Sequence, residues 1–168
     1  MRHLTLGVAA ASIVAGTPLA AQDQIGLARG TVAAGVVIED LDGEPFDLGQ
    51  VVGKTPVLLQ FWATWCPDCT RLFPYMKAMH AEYGDRVTFI AVAVAVNQSQ
   101  RTIRRHLESE ALPFMVLWDT RGRATRAFMA PTTSYVVILD SSGTVVYTGA
   151  GSDQDFAGAL EAVVVNRR

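Results

Sequence analysis

The only two cysteines of this 168-residue chain stand two residues apart, in the run Trp62-Ala63-Thr64-Trp65-Cys66-Pro67-Asp68-Cys69. Where the pair falls in the chain constrains the fold more than any other feature. The preceding run Pro56-Val57-Leu58-Leu59-Gln60-Phe61 is apolar and reads as a buried strand. The stretch after Cys66 reads as a helix, so Cys66 is expected where a strand hands over to a helix N-terminus. Unpaired N–H groups and the positive end of the helix dipole favour a thiolate there. In such settings a thiol that titrates near pH 8.5 when free can fall to about 3.5–7.5. Cys66 is therefore the candidate nucleophile. Cys69, one helical turn on, is the candidate resolving thiol. Pro67 suits the first helical position, where its missing N–H costs nothing.

Other uses of two close thiols were weighed. A structural zinc site needs a second ligand pair, and His3, His80 and His106 are scattered without ligand spacing. A purely structural disulfide across so short a loop would constrain the unfolded chain little. A peroxidatic cysteine would want a threonine or serine three residues before it and a proline seven before. Those positions hold Ala63 and Leu59, so that use fails. Metal binding and a structural disulfide stay as alternatives to reversible exchange.

The segment Phe61–Cys69 resembles the active-site segment of the thioredoxin superfamily, in the form found in the exported TlpA/ResA-like thiol:disulfide oxidoreductases with a redoxin-type domain. The likeness runs from about Val32 to the C-terminus. Gly43–Leu48 followed by Val52–Leu59 resembles the hairpin and loop that precede the first core strand in that group. The resemblance implies an α/β thioredoxin fold: a mixed central sheet flanked by helices, with an added N-terminal β-hairpin. It implies a Cys66/Cys69 dithiol–disulfide cycle that needs no cofactor and acts as a reductant of disulfide-containing exported proteins. It also implies a membrane thiol carrier as electron donor. Trp62 and Trp65 would shield the site, and Trp65 would also meet substrate.

The chain departs from the family pattern twice. Where most thioredoxins carry a buried acid, six residues before the first cysteine, it has Gln60, and a neutral amide cannot act as a general base. Asp68, inside the motif, would oppose thiolate formation if it faced Cys66. The second departure concerns the proline loop that normally faces the cysteine pair. Counting back from the turn at Asp140 puts Ser134 in the proline's slot, with Thr133 as the backbone neighbour that meets substrate. The nearest proline, Pro131, lies three residues earlier, an odd shift that would reverse which side chains face inward. We favour Ser134 over Pro131. A serine there would leave the thiols more open, which keeps a copper-binding or copper-delivery protein as the alternative function, since paired thiolates suit Cu(I).

The N-terminus supports export. Met1-Arg2-His3 is a short basic start, Leu4–Ala15 is apolar, and Thr17–Ala21 breaks the pattern before polar Gln22-Asp23-Gln24. We expect a cleaved signal peptide over 1–21, a linker over 22–30 and one domain over 31–168, in the periplasm or its equivalent. The apolar stretch is short and rich in glycine and alanine for a membrane span, so an uncleaved anchor is the lesser alternative. Cleavage leaves 147 residues with a net charge of −3, from 13 basic and 16 acidic side chains. That balance points to neither nucleic acid nor an anionic membrane, and a monomer is expected.

Along the chain, strands are expected at Thr31–Glu39, Val57–Trp62, Arg86–Val96 and Phe114–Trp118, with a hairpin of Tyr135–Leu139 and Val145–Thr148. Helices are expected from Pro67 to Tyr83, kinked at Pro74 and ended by Gly84, and from a Ser99 cap to Leu112. A short helix at Ala124–Phe128 and a last one opened by Asp153 or Asp155 complete the set. Arg104-Arg105-His106 is expected on a solvated helix face.

Overall fold

The computed structural model describes residues 25–165. The expected signal segment and residues 22–24 of the expected linker lie outside the described residues. In chain order the strands are β1 (Val37–Asp40), β2 (Pro45–Asp47), β3 (Val57–Trp62), β4 (Thr88–Val94), β5 (Met115–Asp119), β6 (Tyr135–Leu139) and β7 (Val145–Gly149). The helices are α1 (Pro67–Tyr83), α2 (Gln100–Ser109), α3 (Arg123–Ala127) and α4 (Ala157–Val165), with a 3-10 turn at Leu48–Gln50.

All six residues of β3 are fully buried, as a strand covered on both faces requires. It lies inside one seven-stranded sheet of order β2-β1-β5-β4-β3-β6-β7. β3, β4 and β5 run parallel, and the flanking strands pair antiparallel. The crossovers β3–α1–β4 and β4–α2–β5 step in the same direction, so right-handed connections put α1 and α2 on one face. An ion pair between Lys77 of α1 and Glu110 at the end of α2 joins them there. α4 covers the same face, where Phe156 and Leu160 pack with Leu58, Leu72 and Met76. On the opposite face Phe61 meets the rings of Phe128 and Tyr135. The expected mixed sheet with an added N-terminal hairpin, β1–β2, is the architecture found.

Three local expectations are corrected. The single strand expected at Thr31–Glu39 is divided. Val32 bridges to Thr144 beside β7, and only Val37–Asp40 joins the sheet at its other side. The chain between them must cross the end of the sheet to connect the two places. Residues 25–30, expected as linker, are docked: the Leu27 N–H donates to the Tyr135 hydroxyl (3.2 Å) and the Gly30 N–H to the Val145 carbonyl (2.8 Å). Gly84 ends α1 as expected, with right-handed backbone (φ −65°). Glycine is needed there because a Cβ would come within 2.5 Å of the His80 carbonyl oxygen. Finally, Arg104 and Arg105 are exposed, but the His106 ring turns inward against Trp62 and Phe73. An imidazole has enough apolar surface for that packing, and one helical residue can leave the face its neighbours share.

Candidate redox site

The site grows out of the end of β3. Cys66 is the N-cap of α1, with extended backbone (φ −92°, ψ 108°), and Pro67 opens the helix. The Cys66 Sγ accepts the N–H of Cys69 at 3.1 Å. That bond satisfies one orphan donor of the first turn, and it would hold a thiolate on Cys66 once the pair is reduced. The two cysteines are joined in a disulfide. Cys66 is 4% exposed and Cys69 is not exposed at all, so both are buried in the disulfide form and the little surface the pair offers belongs to Cys66. Burial disfavours a charged Cys69, which suits a thiol that waits for the mixed disulfide before it ionises.

The other expected site residues divide into floor, rim and loop. Trp62 is fully buried and stacks edge-on against Phe73, so it belongs to the floor. Gln60 lies on the same face of β3, fully buried, and neither amide atom has a hydrogen-bond partner in the protein. Its place can be reckoned from element geometry. Leu58 packs with Leu72 and Met76 of α1. Two residues further along β3 advance about 6.6 Å, or about four residues back along the returning helix, close to Cys69. By this reckoning a neutral amide belongs to the floor near Cys69. Asp68 is half-exposed and pairs with Arg71, so its charge is compensated on the outer side of the first turn.

On the rim, Trp65 is 47% exposed and its indole N–H donates to the Val96 carbonyl at 2.7 Å. Gln98 makes a second tie: its Oε1 accepts the Thr64 N–H (2.9 Å) and its Nε2 donates to the Val94 carbonyl (2.5 Å). The turn after β4 is therefore strapped to the residues just ahead of Cys66. No spacing or composition in the sequence marks Gln98, because the partner that makes it a tie, the Thr64 N–H, lies 34 positions away.

In the loop, Ser134 immediately precedes β6 and is buried, with a trans peptide and left-handed backbone (φ 61°). The pairing Phe61↔Tyr135, carried one step on, sets Ser134 beside Trp62. The Ser134 Oγ accepts the Gly151 N–H at 2.9 Å and its carbonyl accepts from Gln154 at 2.8 Å. Thr133 is half-buried and Pro131 is exposed, three residues out in the loop. A groove of about 410 Å³ opens here, with Trp65 and Val96 on one side and Pro131 to Thr133 on the other.

A disulfide-linked cysteine pair at a helix start, with the first cysteine capping the helix, on a mixed sheet with this order, defines a thiol:disulfide exchange centre on a thioredoxin fold. A model of the Redoxin family matches residues 28–163, and the chain belongs to that family. It is 32% identical over 131 residues to the thiol-disulfide oxidoreductase ResA of Halalkalibacterium halodurans, covering 76% of this chain and 73% of that one. It is 33% identical over 124 residues to the thioredoxin-like protein YneN of Bacillus subtilis, covering 73% and 71%. Among solved structures, dsbF of MTB, determined in mixed oxidized and reduced forms, superposes with a TM-score of 0.65 at 25% identity. That superposition covers 77% of this chain and 93% of the other. The protein is a thiol:disulfide oxidoreductase.

Proposed function

We propose that this oxidoreductase works outside the cytoplasm as a reductant of disulfides in exported proteins. Cys66 is its nucleophile and Cys69 its resolving thiol. The observation that carries the roles is the cap: the Cys66 Sγ closes the first turn of α1 by accepting the Cys69 N–H, a position that favours a thiolate on Cys66. The Cys66 thiolate attacks a substrate disulfide, forming a mixed disulfide and releasing one substrate thiolate, which takes up a proton. Cys69 then gives up its proton and attacks the Cys66 sulfur, which releases the second substrate thiol. The substrate gains two electrons and two protons, and the protein is left as the Cys66–Cys69 disulfide. A membrane thiol carrier would return the electrons. Thr133 would pair with the substrate backbone beside Ser134.

Export rests on the basic-apolar-small pattern of residues 1–21. Among the described residues no helix is long and apolar enough to cross a membrane. The reducing direction rests on the likeness of Val32 onward to exported reductants, and the working unit is a monomer. The copper alternative gains no support. Among the described residues no three His, Cys, Asp or Glu side chains come together, and Met129 is 60% exposed in the loop.

The test is a reduction potential measured against dithiothreitol or glutathione, with Cys69→Ala used to trap partners. A potential below about −220 mV, with exported proteins trapped on Cys66, is the expected result. A potential above about −180 mV would make the protein an oxidant or isomerase instead.

A further inference from the structure

Ser134 carries a left-handed backbone at the edge of the redox site, and sulfur exchange alone does not call for it. We infer that Gln154, in the loop between β7 and α4, is a positioning residue of that site. Its amide locks Ser134 in place and so fixes Thr133, where a substrate backbone would pair. The inference rests on the oxidoreductase reading and adds the residue on which the grip on protein substrates depends.

Both ends of the loop ahead of β6 are left-handed at residues other than glycine, Met129 (φ 48°) and Ser134 (φ 61°). Few such residues hold that conformation without support. At Met129 the support is the end of α3. The Met129 N–H donates to the Arg126 carbonyl (3.1 Å) and the Ala130 N–H to the Thr125 carbonyl (2.9 Å). At Ser134 the support comes from the loop after β7. The Ser134 Oγ accepts the Gly151 N–H (2.9 Å), and Gln154 Nε2 donates to the carbonyls of Ser134 (2.8 Å) and Gly151 (2.7 Å). Ser134 and Gly151 are thus joined twice, once directly and once across the amide. Two carbonyl oxygens can only accept, which fixes the way the amide faces. Its Oε1 accepts the Tyr147 hydroxyl at 3.4 Å, so every polar atom of the side chain is engaged. The seat is closely fitted: a Cβ at Gly149 would come within 2.7 Å of that Oε1.

The lock is placed to act on the redox site. Ser134 stands beside Trp62 by the β3–β6 register, and Trp62 packs on Phe73 of the helix that Cys66 caps. The bracing loop reaches the same helix. The Tyr75 hydroxyl of α1 donates to Asp155 (3.3 Å), and the Tyr75 ring packs on Phe156, with centroids 4.8 Å apart. One short segment, 151–156, therefore holds the loop ahead of β6 in register with α1. Loosening the lock lets Ser134 leave the left-handed region, and Thr133 moves with it. A polypeptide substrate then loses its backbone partner, whereas a disulfide without a peptide backbone loses nothing.

The experiment uses the full chain, recharged by dithiothreitol, with a disulfide-linked peptide and with 2-hydroxyethyl disulfide as substrates. Gln154→Ala should raise KM for the peptide about tenfold with kcat within about twofold of wild type. Its loss on 2-hydroxyethyl disulfide should stay under about twofold. Gln154→Glu keeps the size of the side chain but sets a carboxylate oxygen against two carbonyls, and it carries the test if the alanine variant fails to fold. Its KM for the peptide, taken relative to wild type at the same pH, should be raised at about pH 8. That ratio should fall back by about pH 5, where a protonated carboxyl can donate again. Packing damage does not recover with acid. Asp153→Asn, an exposed change in the same loop, should match wild type. Wild-type KM values in both Gln154 variants would overturn the assignment. So would losses equal for the two substrates, or a Gln154→Glu defect that acid leaves unchanged. If the wild type reduces neither substrate, the oxidoreductase reading itself fails and the lock falls with it.

Discussion

Gln60 is the residue at which the redox site departs furthest from ordinary protein chemistry. A fully buried amide with both its donor and its acceptor unmatched in the protein costs about 1–3 kcal/mol. An apolar side chain of similar length escapes that cost. Gln60→Met is therefore expected to raise stability by about 1–2 kcal/mol, read from the urea midpoint. A loss of stability instead would mean that the amide is satisfied in solution. The sequence placed Gln60 in a strand just ahead of the cysteines and showed that it is neutral. It could not show that both amide atoms are buried without a partner, because that depends on what α1 lays over the strand as it folds back. Asp68 is the converse case. Its charge was legible, but which way it faced was not, and pairing with Arg71 on the outer side of the helix decides it.

At the scale of elements, the β6–β7 turn shows how one carboxylate can organise a hairpin. Asp140 Oδ1 accepts the N–H and hydroxyl of Ser142 (2.9 and 2.6 Å) and the N–H of Thr144 (2.9 Å). Partial burial pushes this carboxyl up, but the bonds from Ser142 and Thr144 outweigh it and leave the group below its usual 3.8. A carboxylate held lower in the folded than in the unfolded chain stabilises the fold above about pH 4. That contribution disappears as the pH falls through the lowered folded value. Asp140→Asn should thus be less stable than wild type at pH 7 by about 1 kcal/mol, with the gap closing below pH 3. Denaturation at the two pH values measures it, and an unchanged gap would refute it. This turn was legible from Asp140-Ser141-Ser142-Gly143 because its bonds span four residues. The Ser99 cap of α2 was legible for the same reason, and it proves to be a capping box with Thr102. The inward turn of His106 was not, since the Trp62 and Phe73 rings that receive it come from β3 and α1.

For the molecule as a whole, the N-terminal segment is a strap rather than a tether, and Tyr135 is its anchor. The hydroxyl, buried between the segment and the sheet, accepts the Leu27 N–H. Burial holds its ionisation above the usual 10.0, against a smaller downward pull from that bond. A phenol harder to ionise in the folded chain stabilises it fully below pH 10, and the contribution is lost as the pH rises through the raised value. Tyr135→Phe should lose about 1 kcal/mol at pH 7 and speed hydrogen exchange at the Leu27 amide. It should also show a shallower loss of stability above pH 10. Exchange at Leu27 equal to wild type would mean that the strap holds without this bond.

The sequence by itself determined the chemistry and the local punctuation. Two thiols at a strand-to-helix junction, the buried parallel strands, the capped helices and the hairpin all follow from residues within a few positions of one another. Their physics is short-ranged. Tertiary structure alone decided that Ser134 and not Pro131 stands at the head of β6 beside Trp62, that residues 25–30 are docked, and that Gln98 straps the turn after β4 to the segment ahead of Cys66. Each of those depends on backbone groups tens of residues apart meeting in space, and no local preference encodes that meeting.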